Sequence, residues 1–105
     1  MDLDKAVRFQ VIVNGEIVTT AGYEDFGTIT LILSRVLRDP DEWPDNPEMH
    51  EAEAIELNVG GMTGADIISS TWYDGPIKRG DEITIRVLGA GDIDEPIRTE
   101  RLRRD

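Results

Sequence analysis

Between Ala6 and Val13, apolar and polar side chains alternate along the chain. Val7, Phe9, Val11 and Val13 fall on one face, with Arg8, Gln10 and Ile12 on the other. A period of two marks a half-buried strand, and Ile12 is the one imperfection. Asn14-Gly15 follows at once. This dipeptide tolerates the positive φ values that a two-residue type I′ turn requires. Glu16 to Ala21, rich in Ile, Val and Thr, reads as the returning strand of a hairpin.

Gly22 to Asp25 is a connector, and the stretch Phe26 to Arg38 supports two patterns. Phe26, Ile29, Ile32, Leu33, Val36 and Leu37 form one helical stripe, with Leu31 misplaced. Thr28 caps such a helix and Pro40 stops it. As a strand, Ile29, Leu31, Leu33 and Leu37 share a face, but Arg35 interrupts them and Ile32 and Val36 point the other way. The Thr and Ile content favours a strand. The expectation is a helix over about 27–38, with a strand at 28–37 as the alternative.

Residues 39–53 hold three of the five prolines, seven acidic residues and no lysine or arginine. They read as a long loop, a length that is uncommon in a compact domain. Ala54 to Val59 is a strand facing inward through Ile55, Leu57 and Val59, and Gly60-Gly61 ends it. Ala65 to Ile68 fits one short turn, Thr71 to Tyr73 a short strand, and Asp74-Gly75-Pro76 a turn. Lys78-Arg79-Gly80-Asp81 is a further turn. It launches a strand from Glu82 to Leu88, with Ile83, Ile85 and Val87 inward. Asp92 to Pro96 runs extended. Residues 98–105 are rich in arginine with little to bury, so fraying is expected there, and 1–97 is expected to be a single globular domain.

The chain has 105 residues, enough for one modest core, and no cysteine, which excludes disulfides and thiolate chemistry. Acidic residues number 22 against 11 basic, a net charge of −11. Such a body repels phosphate backbones and anionic lipid, so general nucleic-acid and membrane binding are not expected. The charge keeps a small protein soluble and also suits a basic protein partner. No apolar run reaches the ~20 residues of a membrane helix. Met1 to Lys5 has no basic stretch followed by an apolar one, so a cytoplasmic setting is expected.

The Val-Asn-Gly-Glu hairpin at 13–16 and the Pro-Ile-Lys-Arg-Gly-Asp-Glu-Ile-Thr-Ile stretch at 76–85 resemble the β-grasp, or ubiquitin-like, proteins, especially small sulfur carriers. With Val-Gly-Gly at 59–61, the same motifs are similar to those of a group of small uncharacterised bacterial proteins. The first resemblance implies an α+β fold, β-grasp-like, with an N-terminal hairpin and one helix on a mixed sheet. The alternative is a small β-sandwich. The carrier role depends on a C-terminal diglycine, whereas this chain ends Arg103-Arg104-Asp105 and its Gly60-Gly61 is internal. An internal peptide carbonyl cannot be adenylated, so that activity does not carry over. Gly60-Gly61 instead reads as a position needing positive φ or close packing.

No catalytic set emerges. His50, the only histidine, stands among Glu48, Glu51 and Glu53 without a nucleophile beside it. Asp39, Asp41 and Asp45 fail the calcium-loop spacing, because Trp43 and Pro44 occupy the fifth and sixth positions. Asp92, Asp94 and Glu95 form a second carboxylate cluster. The glycines lack the lysine of a phosphate loop. No catalytic residue, metal or cofactor is therefore expected. The leading expectation is a non-enzymatic protein-interaction module, such as an adaptor, inhibitor or immunity-like protein. It would bind a basic protein through Asp41, Glu42, Trp43, Asp45 and Glu48, with tryptophan as anchor and carboxylates steering. Alternatives are a small-ligand or carbohydrate-binding domain with Trp72 and Tyr73 as platform, and a homo-oligomeric subunit joined through an edge strand, as in a homodimer.

Overall fold

The computed structural model describes residues 6–23, 27–39, 53–63 and 68–101. The described residues form seven strands in two antiparallel sheets. They are β1 (Val7–Val13), β2 (Glu16–Tyr23), β3 (Thr28–Leu37), β4 (Glu53–Thr63), β5 (Ile68–Pro76), β6 (Ile83–Leu88) and β7 (Arg98–Arg101). One sheet has the order β2-β1-β6 and the other β3-β4-β5-β7. Every pairing is antiparallel.

The expected α+β, β-grasp-like fold is therefore corrected to an all-β one, and the helix over 27–38 is replaced by β3. The physical reason lies in the pairing. Each residue from Thr28 to Leu37 has a partner on β4, from Thr28 opposite Met62 to Leu37 opposite Glu53, without a register shift. Ten consecutive cross-strand pairs outweigh a helical stripe that has nothing to pack on. Apolar residues on both faces of a strand blur its period of two, which is why the run also fits a helix.

The first hairpin forms as its sequence dictates. Asn14 and Gly15 take φ values of 52° and 84°, both left-handed, as a type I′ turn demands. At the second turn, Gly80 has φ 91° and the Asp81 amide donates to the Lys78 carbonyl at 3.0 Å. A single positive φ at the third position makes it a type II turn. The two turns are tied together. The Asn14 side-chain amide donates to Asp81 Oδ1 at 2.9 Å, and the Glu82 amide donates to Asn14 Oδ1 at 2.9 Å.

Two β-bulges shape the core. Val11 pairs with Thr19 and Ile12 with Ile17, leaving Val18 as an extra residue in β2. Val59 pairs with Tyr73 and Gly60 with Thr71, leaving Trp72 as an extra residue in β5. A bulge lets neighbouring side chains serve one face. Trp72 is thus buried while Tyr73 and Val18 pack against the same cluster, which comprises Val11, Ala21, Leu57, Val59 and Trp72. The Tyr23 ring meets Trp72 edge-on, with centroids 5.3 Å apart.

Three further expectations are corrected here. Strand β4 does not end at Gly60-Gly61 but runs on to Thr63. Asp74-Gly75-Pro76 is not a turn but the end of β5. Arg98–Arg101, expected to fray, is β7 and pairs with Ile68 to Thr71 of β5.

The connection from β6 to β7 bridges the two sheets. Arg8 Nε donates to the Gly89 carbonyl at 2.8 Å, steering the chain past β1. At the free edge of β2, the Asp94 amide donates to the Thr20 carbonyl and the Thr20 amide donates to the Asp94 carboxylate. The Trp72 indole N–H donates to the Asp94 carbonyl at 2.8 Å. Asp94 thus joins β2 to β5, and β6 is the strand at the other edge of the β2-β1-β6 sheet.

Candidate interaction edges

The two sheets have four outer edges, and these differ. The β2 edge is covered by Asp94. The β7 edge is four residues long and carries Arg98, Glu100 and Arg101, a short and charged edge of the kind that resists further pairing. Edges β3 and β6 remain, and no strand among the described residues pairs with either.

Which backbone groups point outward follows from the hydrogen bonds. The Ile77 amide donates to the Ile55 carbonyl, so Ile55 directs its main chain toward β5 and away from β3. Its cross-strand partner, Arg35, directs its own away from β4. Alternation along an antiparallel ladder then leaves the amides and carbonyls of Ile29, Leu31, Leu33, Arg35 and Leu37 on the outer side, where no strand among the described residues pairs with them. The side chains flanking this row are apolar on both faces. Leu33 and Leu37 are 59% and 61% exposed on the core-facing side, with Ile32 and Val36 exposed on the other. Strand β3 has no proline, lysine or bulge to protect it.

At the far end of this edge sits an ion triad. Glu53 Oε2 receives Arg79 Nη2 at 2.7 Å and Arg35 Nη2 at 2.8 Å, and Glu53 Oε1 receives Arg79 Nε at 3.0 Å. Hydrogen bonds from Arg79 first and Arg35 second hold the Glu53 carboxyl below the usual glutamate value. The same pairing raises the Arg79 guanidinium. Register explains the arrangement, because Leu37 pairs with Glu53 and places Arg35 two residues away on the same face. The triad ties Arg35, the one charged residue within β3, to Glu53 and so to Arg79, and these two help Ile55 and Ile77 to line a cleft of about 480 Å³.

Of the residues singled out in the sequence, Asp41, Glu42, Trp43, Asp45 and Glu48 lie outside the described residues, as does His50. Trp72, offered as a ligand platform, is 4% exposed and donates its N–H to Asp94, so it is part of the core. Asp94 belongs to the seam between the sheets. Gly60 and Gly61 need close packing, not positive φ. A Cβ on Gly61 would lie 2.5 Å from the Thr28 carbonyl oxygen and 2.8 Å from the Tyr23 hydroxyl. Arg98 reaches Asp74 at 3.5 Å. Among the described residues no cluster of three His, Cys, Asp or Glu is placed to hold a metal. No helix among them is long and apolar enough to cross a membrane.

Sequence reading missed the β3 edge. Its signal was present: an apolar run, Ile29 to Leu33, that holds no charge, followed by Arg35 and Arg38. Comparison with known protein families, curated proteins and solved structures finds no match to this chain.

Proposed function

We propose that this chain is a non-enzymatic protein-interaction module that takes an extended segment of a basic partner as an added strand along β3. The β3 edge, unpaired among the described residues, carries the reading, with five residues whose main-chain groups face outward and with exposed leucines beside them. In strand addition the main chain supplies affinity and alternate side chains supply specificity. The partner's apolar positions would meet Leu33 and Leu37 on one face and Ile32 and Val36 on the other.

Charge supports the choice of partner. Residues 39–53 follow β3 directly in the chain and carry seven carboxylates and no cation. Asp41, Glu42, Asp45 and Glu48 would steer lysines or arginines that flank the added strand, and Trp43 would anchor them. In an antiparallel partner these cations precede the apolar segment, because its N-terminal end lies beside the C-terminal end of β3. A chain without cysteine and rich in carboxylates suits a cytoplasmic setting.

The test is a synthetic peptide of alternating valine and threonine, with three lysines at its N-terminal end, titrated against the ¹⁵N-labelled protein. A second peptide carries glutamates in place of the lysines. The expected result is a shift of the Ile29, Leu31, Leu33, Arg35 and Leu37 amides with the lysine peptide, weakened by added salt. Leu33→Pro removes one outward N–H without touching the β4 ladder, and binding should fall at least tenfold. Equal binding of the glutamate peptide, or full binding by Leu33→Pro, would sink the reading.

A further inference from the structure

The other free edge has a different character, and it points to a different occupant. Strand β6 runs Ile83-Thr84-Ile85-Arg86-Val87-Leu88. Its register with β1 pairs Val87 with Phe9, Ile85 with Val11 and Ile83 with Val13. All six therefore share the core-facing side of the sheet. Yet the row is covered unevenly, with Val11 fully buried at its middle. Ile83 packs on the core, while Ile85 is 46% and Val87 71% exposed. Val87 is the most exposed of the large apolar residues described.

The backbone of β6 is poised in the same way. The Asn14 amide donates to the Glu82 carbonyl, and the Glu82 amide donates to the Asn14 side chain. Both main-chain groups of Glu82 thus point toward β1. Alternation turns Thr84, Arg86 and Leu88 toward β1 as well, and leaves the amides and carbonyls of Ile83, Ile85 and Val87 facing outward. Among the described residues, no strand pairs with that side.

We infer that β6 pairs antiparallel with β6 of a second copy of this chain, about a two-fold axis through Ile85. Such an interface is self-complementary, with each residue meeting its mirror position. Only residues with outward main-chain groups can form the hydrogen-bonded pairs. Centring on Ile85 places Ile85 against the partner copy's equivalent and Ile83 against Val87 in both directions. Every pair on the core-facing side is then apolar. On the other side Arg86 stands opposite Thr84. Centring on Arg86 would set two guanidiniums face to face, and centring on Thr84 would leave Val87 without a partner. The favoured register joins the two three-stranded sheets into one of six strands and covers Ile85 and Val87.

Charge selects a second copy at this edge. A chain of net charge −11 repels itself, and contact is least costly where carboxylates are absent. Strands β1 and β6 contain Arg8 and Arg86 and no Asp or Glu. The carboxylates repel from a distance, so added salt should tighten this dimer by screening them. That is opposite to the salt response expected for a basic partner on β3, and the two readings succeed or fail separately.

The experiment is analytical ultracentrifugation of the full chain over a concentration series, at low and moderate salt, with Val87→Lys, Ile85→Pro and Leu33→Pro. The expected result is a concentration-dependent dimer that strengthens with salt. Val87→Lys and Ile85→Pro should each weaken it at least tenfold, and Leu33→Pro should leave it unchanged. Because the chain has no cysteine, Ile85→Cys reads the register directly. Its two sulfurs meet across the axis, where Cα atoms of a hydrogen-bonded pair are about 5.5 Å apart, and should form an intermolecular disulfide under mild oxidation. Arg86→Cys should not. A monomer at every concentration, a dimer lost with Leu33→Pro but kept with Val87→Lys, or equal crosslinking through both cysteines would overturn the proposal.

Discussion

Asp94 and Thr20 exchange hydrogen bonds. The Asp94 amide donates to the Thr20 carbonyl at 2.8 Å, and the Thr20 amide donates to Asp94 Oδ2 at 2.9 Å. The pair acts as a single rung of sheet made half from backbone and half from side chain. It covers the edge of β2 with a loop where a strand would otherwise be needed. The Asp94 carbonyl then accepts the Trp72 indole N–H, so one residue links both sheets.

Asp94→Ala should therefore destabilise the fold more than an ordinary loop substitution. The part-buried Thr20 amide loses its acceptor, at a cost of about 2 kcal/mol. Asp94→Asn keeps an oxygen in place and should cost about half as much. Urea unfolding followed by tryptophan fluorescence checks both. A change below a few tenths of a kcal/mol for Asp94→Ala would show that the β2 edge needs no cover.

Gly61 and Tyr23 yield a second prediction. The Tyr23 hydroxyl is buried without a hydrogen-bond partner among the described residues, and its ring occupies the space that a side chain at 61 would need. Gly61→Ala drives a methyl into the Thr28 carbonyl as well, which is backbone and cannot swing aside. Overpacking of this kind costs about 1–3 kcal/mol. Tyr23→Phe removes the unpaired hydroxyl and should be neutral or stabilising. Denaturation midpoints of the two variants should move in opposite directions, or only that of Gly61→Ala should move. A less stable Tyr23→Phe would indicate that the hydroxyl has a partner after all.

How much of this was legible in the chain depends on whether the deciding interaction was local. The Asn14-Gly15 turn is local, and its positive φ values follow from the dipeptide. The Lys78 to Asp81 turn is local too. Strand β3 is not, because its partner β4 lies beyond residues 40–52, and short-range spacing cannot see ten cross-strand pairs. The bulges at Val18 and Trp72 are likewise set by strands across the sheet. Trp72 looked like a platform because tryptophan beside tyrosine near a turn suits one. The bulge turns it inward instead. Arg98–Arg101 looked too polar to be ordered, yet an edge strand needs only main-chain partners, and β5 supplies them.

The same locality makes Asn14 a sharp test. Its backbone is left-handed, and its side chain both donates to Asp81 and accepts from the Glu82 amide. Asn14→Ala keeps a Cβ in the left-handed region without the short polar side chain that lets asparagine tolerate it, and also unties the two turns. Asn14→Gly relieves the backbone and removes only the tie. Asn14→Ala should thus be the less stable of the two in urea. If both variants match wild type, the tie between the turns adds nothing to the fold.

Acid provides the last test, through two carboxyls whose values the fold lowers. Glu53 is held down by hydrogen bonds from Arg79 and then Arg35. Asp81 is held down by the Lys78 amide, which donates to its Oδ2 at 2.7 Å, and then by the Asn14 side chain. A carboxyl with a lowered folded-state value stabilises the fold at neutral pH, and that contribution disappears as pH falls through the folded value. Their ordinary values are 4.5 and 3.8, so stability should be flat near neutrality and decline once pH drops below about 4.5. Arg79→Ala should raise the Glu53 carboxyl more than Arg35→Ala does, since Arg79 is the stronger influence. Carboxyl ¹³C titration of Glu53 in the three proteins reads that order directly. If Arg35→Ala produced the larger rise, the triad would be held mainly from β3, and the β3 edge would lose its one charge to a structural role that strand addition could not spare.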